Sequence, residues 1–387
     1  MRMLVGGIRP RAMRLLLVAI GIYDALYLGI WLARSDSPRF GDFFGLWTFG
    51  AFALAEPAAA IYDPEALQRF QQALDPAFTG AYPFFYPPSF LLLTVPLALL
   101  PLGYAWLGWC TGTLALYVTA VLGRGWRSCA GAALLVAPTT LLCIVAGQSG
   151  LLTGAMMLGG LRALPARPWL GGALLGLLTV KPQLGLLLLI ALVAARQWRA
   201  IAAACLTAVG VAVATGLAFG WHIWIVWANT IPLGMKMVLH KRAEIIDLMP
   251  TVTAGLFQFG MPEGPTRLIQ LATAIAVCCV TWRAFRPGIS PNAIAVLAMA
   301  TFLATPYGFV YDLPMVTGAL VLTIQARQPP LAEAVLFGLI AVVPLLMLGT
   351  GLPLTEPILL GTGIALLARR IGRDFVEAHP TGLYKAA

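Results

Sequence analysis

The sequence predicts an all-α protein that crosses a membrane many times, and three observations carry this prediction. Of its 387 residues, 60% are hydrophobic and only 10% are charged, whereas soluble domains carry about 25% charged residues. The mean hydropathy is +0.87. Because a core formed in water cannot bury this much apolar surface, lipid must cover the rest.

Twelve apolar segments follow one another along the chain, and several are shorter than the ~20 residues of a full span. They predict about twelve transmembrane helices. The first segment follows a basic start and is long for a cleaved signal peptide, so we expect it to remain as a span. The segments are 13–33, 104–123, 128–146, 150–164, 169–180, 183–195, 200–220, 265–284, 292–304, 312–325, 331–349 and 354–368.

Arg and Lys residues lie in short clusters between these segments. The formal net charge of +10 would suit nucleic acid, but such a protein gathers its basic residues on one face. Clusters that alternate with apolar segments are typical of cytoplasmic loops under the positive-inside rule. We therefore expect a multi-pass protein of the cell inner membrane that contacts membrane lipid and no nucleic acid. The clusters lie at 9–14, 124–127, 162–167, 196–199, 283–286 and 369–373.

Two regions are too polar, or too rich in Pro and aromatic residues, to be short turns: 34–103 and 221–264. With the N-terminus inside, 34–103 emerges on the outer side. The run 87–101 within it is short and contains Pro88 and Pro96, which suits an interfacial or re-entrant helix. If this run does not cross the bilayer, every later basic cluster lies in the cytoplasm.

This arrangement predicts one shared outer face and two cytoplasmic termini. We expect 1–387 to form a single transmembrane domain, and the sequence shows no internal repeat at a fixed period and no low-complexity tract. Residues 369–387 are expected to be a short cytoplasmic tail. The loops that share the outer face are 34–103, 147–150, 181–183, 221–264 and 305–311.

Several patterns are absent from the sequence. It has no Gly-rich phosphate loop, no Ser-His-Asp pattern, no His and Cys residues at metal-ligand spacing and no DxD pair in the first outer loop. The six cysteines lie within apolar segments, which favours small apolar residues of membrane helices over disulfides. We therefore expect no cytoplasmic nucleotide site, no metal and no cofactor.

Asp42 is the first candidate catalytic residue. Only 15 residues are acidic, and this one lies just past the first span among aromatic residues. Poor hydration would raise the pKa of its carboxyl group and make the carboxylate a better proton acceptor. The same position also suits an N-cap for the helix that we expect to follow. Position alone leaves the two interpretations even.

Three further residues of the first outer loop are candidates for substrate binding. Tyr62 and Asp63 precede Pro64, and Tyr86 precedes two prolines. Such a pattern is typical of a helix start and of an aromatic belt at the membrane interface. The alternative is an aromatic wall on which a sugar ring stacks.

The other candidates lie at breaks between apolar segments. Lys181 stands at membrane depth, where a lysine is costly and usually functional; it would bind a lipid phosphate, unless its side chain extends to the interface. Gln148 marks another break, and Tyr311 and Asp312 lie at the head of a late span. The run His240-Lys241-Arg242 would bind an anion or form a solvated turn.

The order and spacing of five short motifs resemble a known family. They are an Asp after the first span (Asp42), Tyr62-Asp63, a Tyr-Pro-Pro that leads into Pro-Leu-Ala-Leu-Leu-Pro, Gly147-Gln148 and Lys181-Pro182. Over residues 36–312 the chain resembles glycosyltransferase family 87, the polyprenyl-phosphate-mannose-dependent α-mannosyltransferases of the GT-C superfamily.

The resemblance implies a GT-C-like helical bundle with interfacial helices in the first outer loop. It implies transfer of a sugar from a polyprenyl-phosphate donor to a lipid or glycan acceptor at the outer face. Asp42 occupies the place of the family's catalytic base, and Lys181 and Gln148 match its outer-face breaks. Where many members carry a Trp and a His near the penultimate outer loop, this chain has Phe309, Tyr311 and Asp312.

The missing late histidine leaves open how the donor phosphate is held, and His240, Lys241 or Arg242 would compensate. The hypothesis is that ionised Asp42 accepts the proton of the acceptor hydroxyl while Lys181 binds the departing phosphate. A transporter or flippase of lipid-linked sugars would also use short, Pro-broken helices. The sequence disfavours it, because no repeat is present and the polar breaks lie on one side. A non-catalytic scaffold leaves Asp42, Lys181 and Asp312 unexplained.

Overall fold

A computed structural model describes the backbone of residues 10–33, 40–125, 128–240, 246–327, 329–350 and 355–378. Side chains are described for 18–33, 40–123, 125, 128–231, 246, 248–327, 329–342, 344 and 356–372. All regular structure within these ranges is helical.

Eleven α-helices lie among the described residues up to Phe219. Each carries the apolar composition that the sequence predicts, apart from the amphipathic α3. They are α1 (Pro10–Ala33), α2 (Asp42–Ala55), α3 (Pro64–Leu74), α4 (Leu91–Ala98), α5 (Leu102–Leu122), α6 (Cys129–Leu135), α7 (Pro138–Ala146), α8 (Gly150–Ala163), α9 (Pro168–Gly176), α10 (Leu188–Ala194) and α11 (Trp198–Phe219).

Seven α-helices follow in the described part of the second half, and short 3-10 helices lie in the connections of both halves. The α-helices are α12 (His222–His240), α13 (Val252–Gln258), α14 (Glu263–Phe285), α15 (Pro291–Ala304), α16 (Pro314–Ala326), α17 (Leu331–Thr350) and α18 (Thr355–Ala378). The 3-10 helices are Ala58–Tyr62, Pro88–Phe90, Gly123–Gly125, Leu177–Val180, Pro182–Gly185, Ile246–Leu248 and Val310–Asp312.

Every predicted apolar segment is helical over most of its described length, but fewer helices than predicted meet the length of a full span. Among the described residues, α5, α11 and α14 are long and apolar enough to cross a membrane. The pair α6 and α7, bent by 41° at Pro138, adds a fourth if it counts as one span. The other apolar helices are shorter over the residues whose side chains are described, for example Val18–Ala33 of α1 and Leu331–Val342 of α17, so the predicted total of about twelve spans stays a prediction.

The first outer loop folds into a compact unit. Helix α2 packs against α4 so closely that a Cβ on Gly50 would overlap the carbonyl group of Thr94. The side-chain amide of buried Gln71 binds both the backbone N–H and the carbonyl oxygen of Tyr82, each at 3.0 Å. This pair of bonds fixes the stretch that leads into Tyr86. Helix α4 has eight residues, well below the ~20 of a span.

Helix α15 forms the centre of the second half. All its residues from Asn292 to Ala304 are buried, as expected of a helix enclosed by other helices. At its first turn, buried Glu333 accepts hydrogen bonds from Arg327 and is paired with Arg370, 2.8 Å away. Arg327 also donates to Asn292. These charges connect α15 to α18 at one end of the bundle.

Two regions are more helical than the sequence predicts. The second large loop, 221–264, contains the 19-residue helix α12 and the short α13. The last helix, α18, continues through the first half of the predicted tail to Ala378. Residues 379–387 lie outside the described part of the chain.

Candidate functional site

Four breaks in the helical structure meet at the other end of α15. Gly147 ends α7 in the left-handed region, with φ of 62°. A Cβ on Gly147 would overlap the Phe43 side chain, and one on Gly150 would overlap the carbonyl oxygen of Tyr311. These glycines bring the turn between α7 and α8 against the start of α2 and against the Val310–Asp312 helix. The fourth break, at Lys181, is joined to them by a salt bridge to Asp312.

Asp42 is the first residue of α2, and its carboxylate faces the α7–α8 turn. The N-cap position belongs to Gly41, whose φ of 55° and ψ of −135° suit glycine, and no side chain caps this helix. The Asp42 Oδ2 atom accepts a hydrogen bond of 3.2 Å from the amide of Gln148. The Tyr82 hydroxyl also hydrogen-bonds to this carboxylate.

Burial raises the pKa of the Asp42 carboxyl group above its ordinary value. The hydrogen bonds from Gln148 and Tyr82 and the positive charge of Lys181 act in the opposite direction, because each stabilises the carboxylate. A carboxylate with a raised pKa accepts a proton more readily than a fully hydrated one, and the two donors fix its orientation.

Gln148 connects Asp42 to Tyr86. The Tyr86 hydroxyl donates to Gln148 Oε1 at 3.2 Å, which leaves the Gln148 amide N–H group to donate to Asp42. The Tyr86 ring is stacked on Phe90, with centroids 3.9 Å apart and an interplanar angle of 8°. The Tyr62 hydroxyl donates to the Tyr86 carbonyl oxygen at 2.8 Å. Tyr62 thus orients Tyr86 through the backbone, and Phe90 covers one face of the Tyr86 ring.

Lys181 and Asp312 form a buried ion pair beside the Tyr86 ring. Lys181 Nζ lies 2.7 Å from Asp312 Oδ1, and the two side chains are 3% and 1% exposed. The same Nζ lies 5.2 Å from the ring centroid of Tyr311 and 5.8 Å from that of Tyr86. Such positions are favourable for a cation over an aromatic face. The ammonium group is therefore paired with one carboxylate and lies near two aromatic rings.

An apolar cavity of about 260 Å³ adjoins the Lys181 break. Its walls come from the residues on either side of Lys181, from the Pro87–Ser89 turn, from α11 and from α12. Trp224 and Trp227 contribute the α12 wall. The full lining is Pro87, Ser89, Thr179, Pro182, Ala208, Val211, Ala212, Trp224 and Trp227.

The structure thus brings Asp42, Gln148, Tyr86, Lys181, Tyr311 and Asp312 together. Asp63 lies apart from them: its exposed carboxylate accepts from the backbone N–H groups of Glu65 and Ala66 and caps α3. That contact matches the helix-start interpretation. The side chains of His240, Lys241 and Arg242 lie outside the described residues, so their part in anion binding stays a prediction.

Two tyrosines of the site were not among the predicted site residues. Tyr82 reaches Asp42, and Tyr307 lies close enough to Tyr86, Lys181, Asp312 and Asp42 for their charges to influence its hydroxyl. Tyr82 precedes Tyr86 by four residues in an aromatic run, but the sequence carries no signal that separates the two roles. In the structure the two tyrosines differ, because Gln71 holds the backbone of Tyr82 and the Tyr82 hydroxyl reaches Asp42.

The comparison with known protein families identifies one family. The profile of glycosyltransferase family 87 matches residues 84–306, more than half of the chain. Tyr86, Gln148 and Lys181 lie within the match, whereas Asp42 and Asp312 lie outside it. No curated protein and no solved structure matches the chain significantly. With its apolar helices and this match, the chain belongs to glycosyltransferase family 87 and is a membrane glycosyltransferase.

Proposed function

We propose that the protein transfers a sugar from a polyprenyl-phosphate donor to a hydroxyl group of a lipid or glycan acceptor. Mannose is the sugar that the family resemblance favours. The observation that carries the proposal is that one buried site contains both the Asp42 carboxylate and the Lys181 ammonium group. Such a reaction needs one base and one group that stabilises a leaving phosphate.

Asp42 acts as the general base. Its ionised carboxylate accepts the proton of the acceptor hydroxyl as that oxygen attacks the anomeric carbon, and the electron pair of the breaking bond leaves with the phosphate. A positioned base of this kind contributes about 10²–10⁴-fold to the rate. Gln148 and Tyr82 hold the carboxylate in place, so less rotational freedom is lost in the transition state.

Lys181 acts at the leaving phosphate. Its burial strengthens the interaction with an anion, because a low dielectric screens charge weakly. His240, Lys241 and Arg242 remain candidates for further phosphate contacts. Tyr311 and Asp312, and the loop residues Tyr62, Asp63 and Tyr86, remain candidates for sugar or acceptor binding.

The apolar cavity beside Lys181 suits the isoprenoid chain of the donor. Its lining is almost wholly apolar, with Trp224 and Trp227 on one wall. A chain placed there would lie beside the Lys181 break, since Thr179 and Pro182 of the lining flank Lys181 in sequence. We extend the proposal to a bundle of about twelve spans in the cell inner membrane, with this site on the outer face and both termini in the cytoplasm.

The test is the replacement of Asp42 by Asn, which keeps the shape of the side chain and removes its basicity. Membranes that contain the variant are incubated with labelled polyprenyl-phosphate sugars, and glycosylated products are identified. We expect transfer to fall by about 10²-fold or more, with wild-type protein levels in the membrane.

Glu65→Gln is the matched control, because it removes an exposed carboxylate from the same loop. Its activity should equal that of the wild type. Undiminished transfer by Asp42→Asn would eliminate Asp42 as the base. Absence of transfer from any polyprenyl-phosphate sugar by the wild type would refute the donor class.

A further inference from the structure

The ion pair of Lys181 and Asp312 leaves one buried polar atom without a partner. Asp312 Oδ1 is paired with the ammonium group at 2.7 Å, but Oδ2 is buried and makes no hydrogen bond to any residue that the structure describes. Buried carboxylates normally have donors for both oxygens. Lys181 is therefore the main group that stabilises the buried Asp312 carboxylate, because no other described donor shares its charge.

This pairing opposes the binding of a phosphate. The site contains the carboxylates of Asp42 and Asp312 and the ammonium group of Lys181. With both carboxylates ionised, these three groups carry more negative than positive charge. A lipid phosphate that enters must therefore compete with Asp312 for the ammonium group.

The competition between Asp312 and phosphate has a larger effect on the product phosphate than on the donor. In the proposed transfer, a bond forms between the acceptor oxygen and the anomeric carbon. The bond from that carbon to the phosphate oxygen breaks, its electron pair stays on the phosphate, and the acceptor proton moves to Asp42. A phosphodiester with a single negative charge becomes a monoester, whose charge is about −1.5 to −2 at pH 7. Lys181 therefore attracts the product phosphate more strongly than the donor.

We propose that Asp312 is a positioning residue that competes with the product phosphate for Lys181 and thereby speeds its release. This inference rests on the proposed function. Lys181 turns from Asp312 to the phosphate when the donor binds, and it returns when the sugar has left. The buried ion pair that forms again replaces the contact that the product loses, so the lipid phosphate dissociates.

The test measures equilibrium binding of sugar-free polyprenyl phosphate to the full-length protein in lipid nanodiscs. In Asp312→Asn, the Kd of this product should fall on the order of tenfold, because the competing charge is removed. In turnover, kcat and KM for the donor should both decrease, since release is slowed and phosphate binding is tightened. Asp312→Glu should restore wild-type values, and Glu65→Gln should leave the Kd unchanged.

Two further variants separate competition from a purely structural role. In a Lys181→Met background, Asp312→Asn should no longer change the Kd, because the two effects act through one ammonium group. Lys181→Arg keeps the charge and should fold even if Asp312→Asn does not. Its guanidinium has donors for Asp312 and phosphate at once, so it should also bind the product more tightly.

The inference is overturned if the folded Asp312→Asn variant, or Lys181→Arg where Asp312→Asn does not fold, binds the product no more tightly than the wild type. That result would leave the proposed function intact, because loss of transfer in Asp42→Asn is measured separately. A wild-type protein that binds no polyprenyl phosphate would refute both.

Discussion

Gln148 lies where the two halves of the site meet. Its amide oxygen accepts from Tyr86 and its amide N–H group donates to Asp42, each at 3.2 Å. The Cys143 thiol donates to the Gln148 carbonyl oxygen at 3.3 Å, which helps to fix the backbone of the turn. Because both ends of one amide are used, Gln148 orients the proposed base relative to the ring that lies under Lys181.

Replacement of Gln148 by Leu should move the acid limb of the pH profile of kcat/KM to higher pH. Burial raises the pKa of Asp42, and the hydrogen bond from Gln148 partly lowers it. Without that bond the pKa rises further, and the carboxylate ionises only at a higher pH. The ionised form is the active one, so activity is lost first at the acid end. Tyr82→Phe should shift the limb in the same direction, and an unshifted limb in both variants would contradict the role of Asp42 as the base.

The α7–α8 turn is the element that positions the site. Gly150 lies against the Tyr311 backbone where no Cβ fits, and the residue after Tyr311 is the partner of Lys181. Gly150→Ala should therefore separate α8 from the Val310–Asp312 helix and reduce transfer at least about tenfold, with a destabilisation of about 1–3 kcal/mol. Activity and thermal unfolding in detergent provide the measurement.

The matched control for this change is Gly112→Ala in α5, where no described atom beyond the adjacent residues and the helix's own backbone lies within 4 Å of the added Cβ. It should leave transfer unchanged and slightly favour the helix, because alanine has the higher helix propensity. Equal activity in the Gly150→Ala and Gly112→Ala variants would show that the close approach at Gly150 is not needed.

Elements were easier to predict from the sequence than contacts between them. Apolar length and Pro and Gly breaks located the helices, and the basic clusters placed 147–150, 181–183 and 305–311 at one end, where the structure joins them. The pairing of Lys181 with Asp312 joins residues 131 positions apart and depends on packing that no local pattern records. The backbone of Gly41, which shows that Asp42 is not the N-cap of α2, could not be predicted from the sequence. The sequence does not predict helix α12, because the polar and aromatic residues of 221–264 indicate a loop.

At the scale of the whole molecule, the topology depends on which helices cross the bilayer. Helices α4, which has eight residues, and α12, which has 19, are apolar but lie outside the twelve predicted segments. Helix α12 packs against the Ala58–Tyr62 and Pro88–Phe90 helices of the first outer loop. This contact favours a position at the interface beside the loop. The proposed topology therefore excludes both helices from the spans.

Cysteine labelling tests this topology in a background without the six native cysteines. Single cysteines replace Glu65, Arg199 and Arg286, which are exposed and lie in the first outer loop and in two basic clusters. We expect a membrane-impermeant maleimide to label position 65 in intact cells, and positions 199 and 286 only after permeabilisation. Five predicted spans separate 65 from 199 and seven separate 65 from 286, so both basic clusters fall on the opposite side.

Each alternative gives a different pattern, because one additional crossing inverts everything that follows it. If α4 crossed, positions 65, 199 and 286 would all be labelled in intact cells. If α12 crossed instead, position 199 would stay protected while 65 and 286 reacted. Protection of position 65 alone would place the first outer loop, and Asp42 with it, in the cytoplasm. A lipid-linked donor in the outer leaflet could not then reach the site, so this outcome would refute the proposed reaction at the outer face.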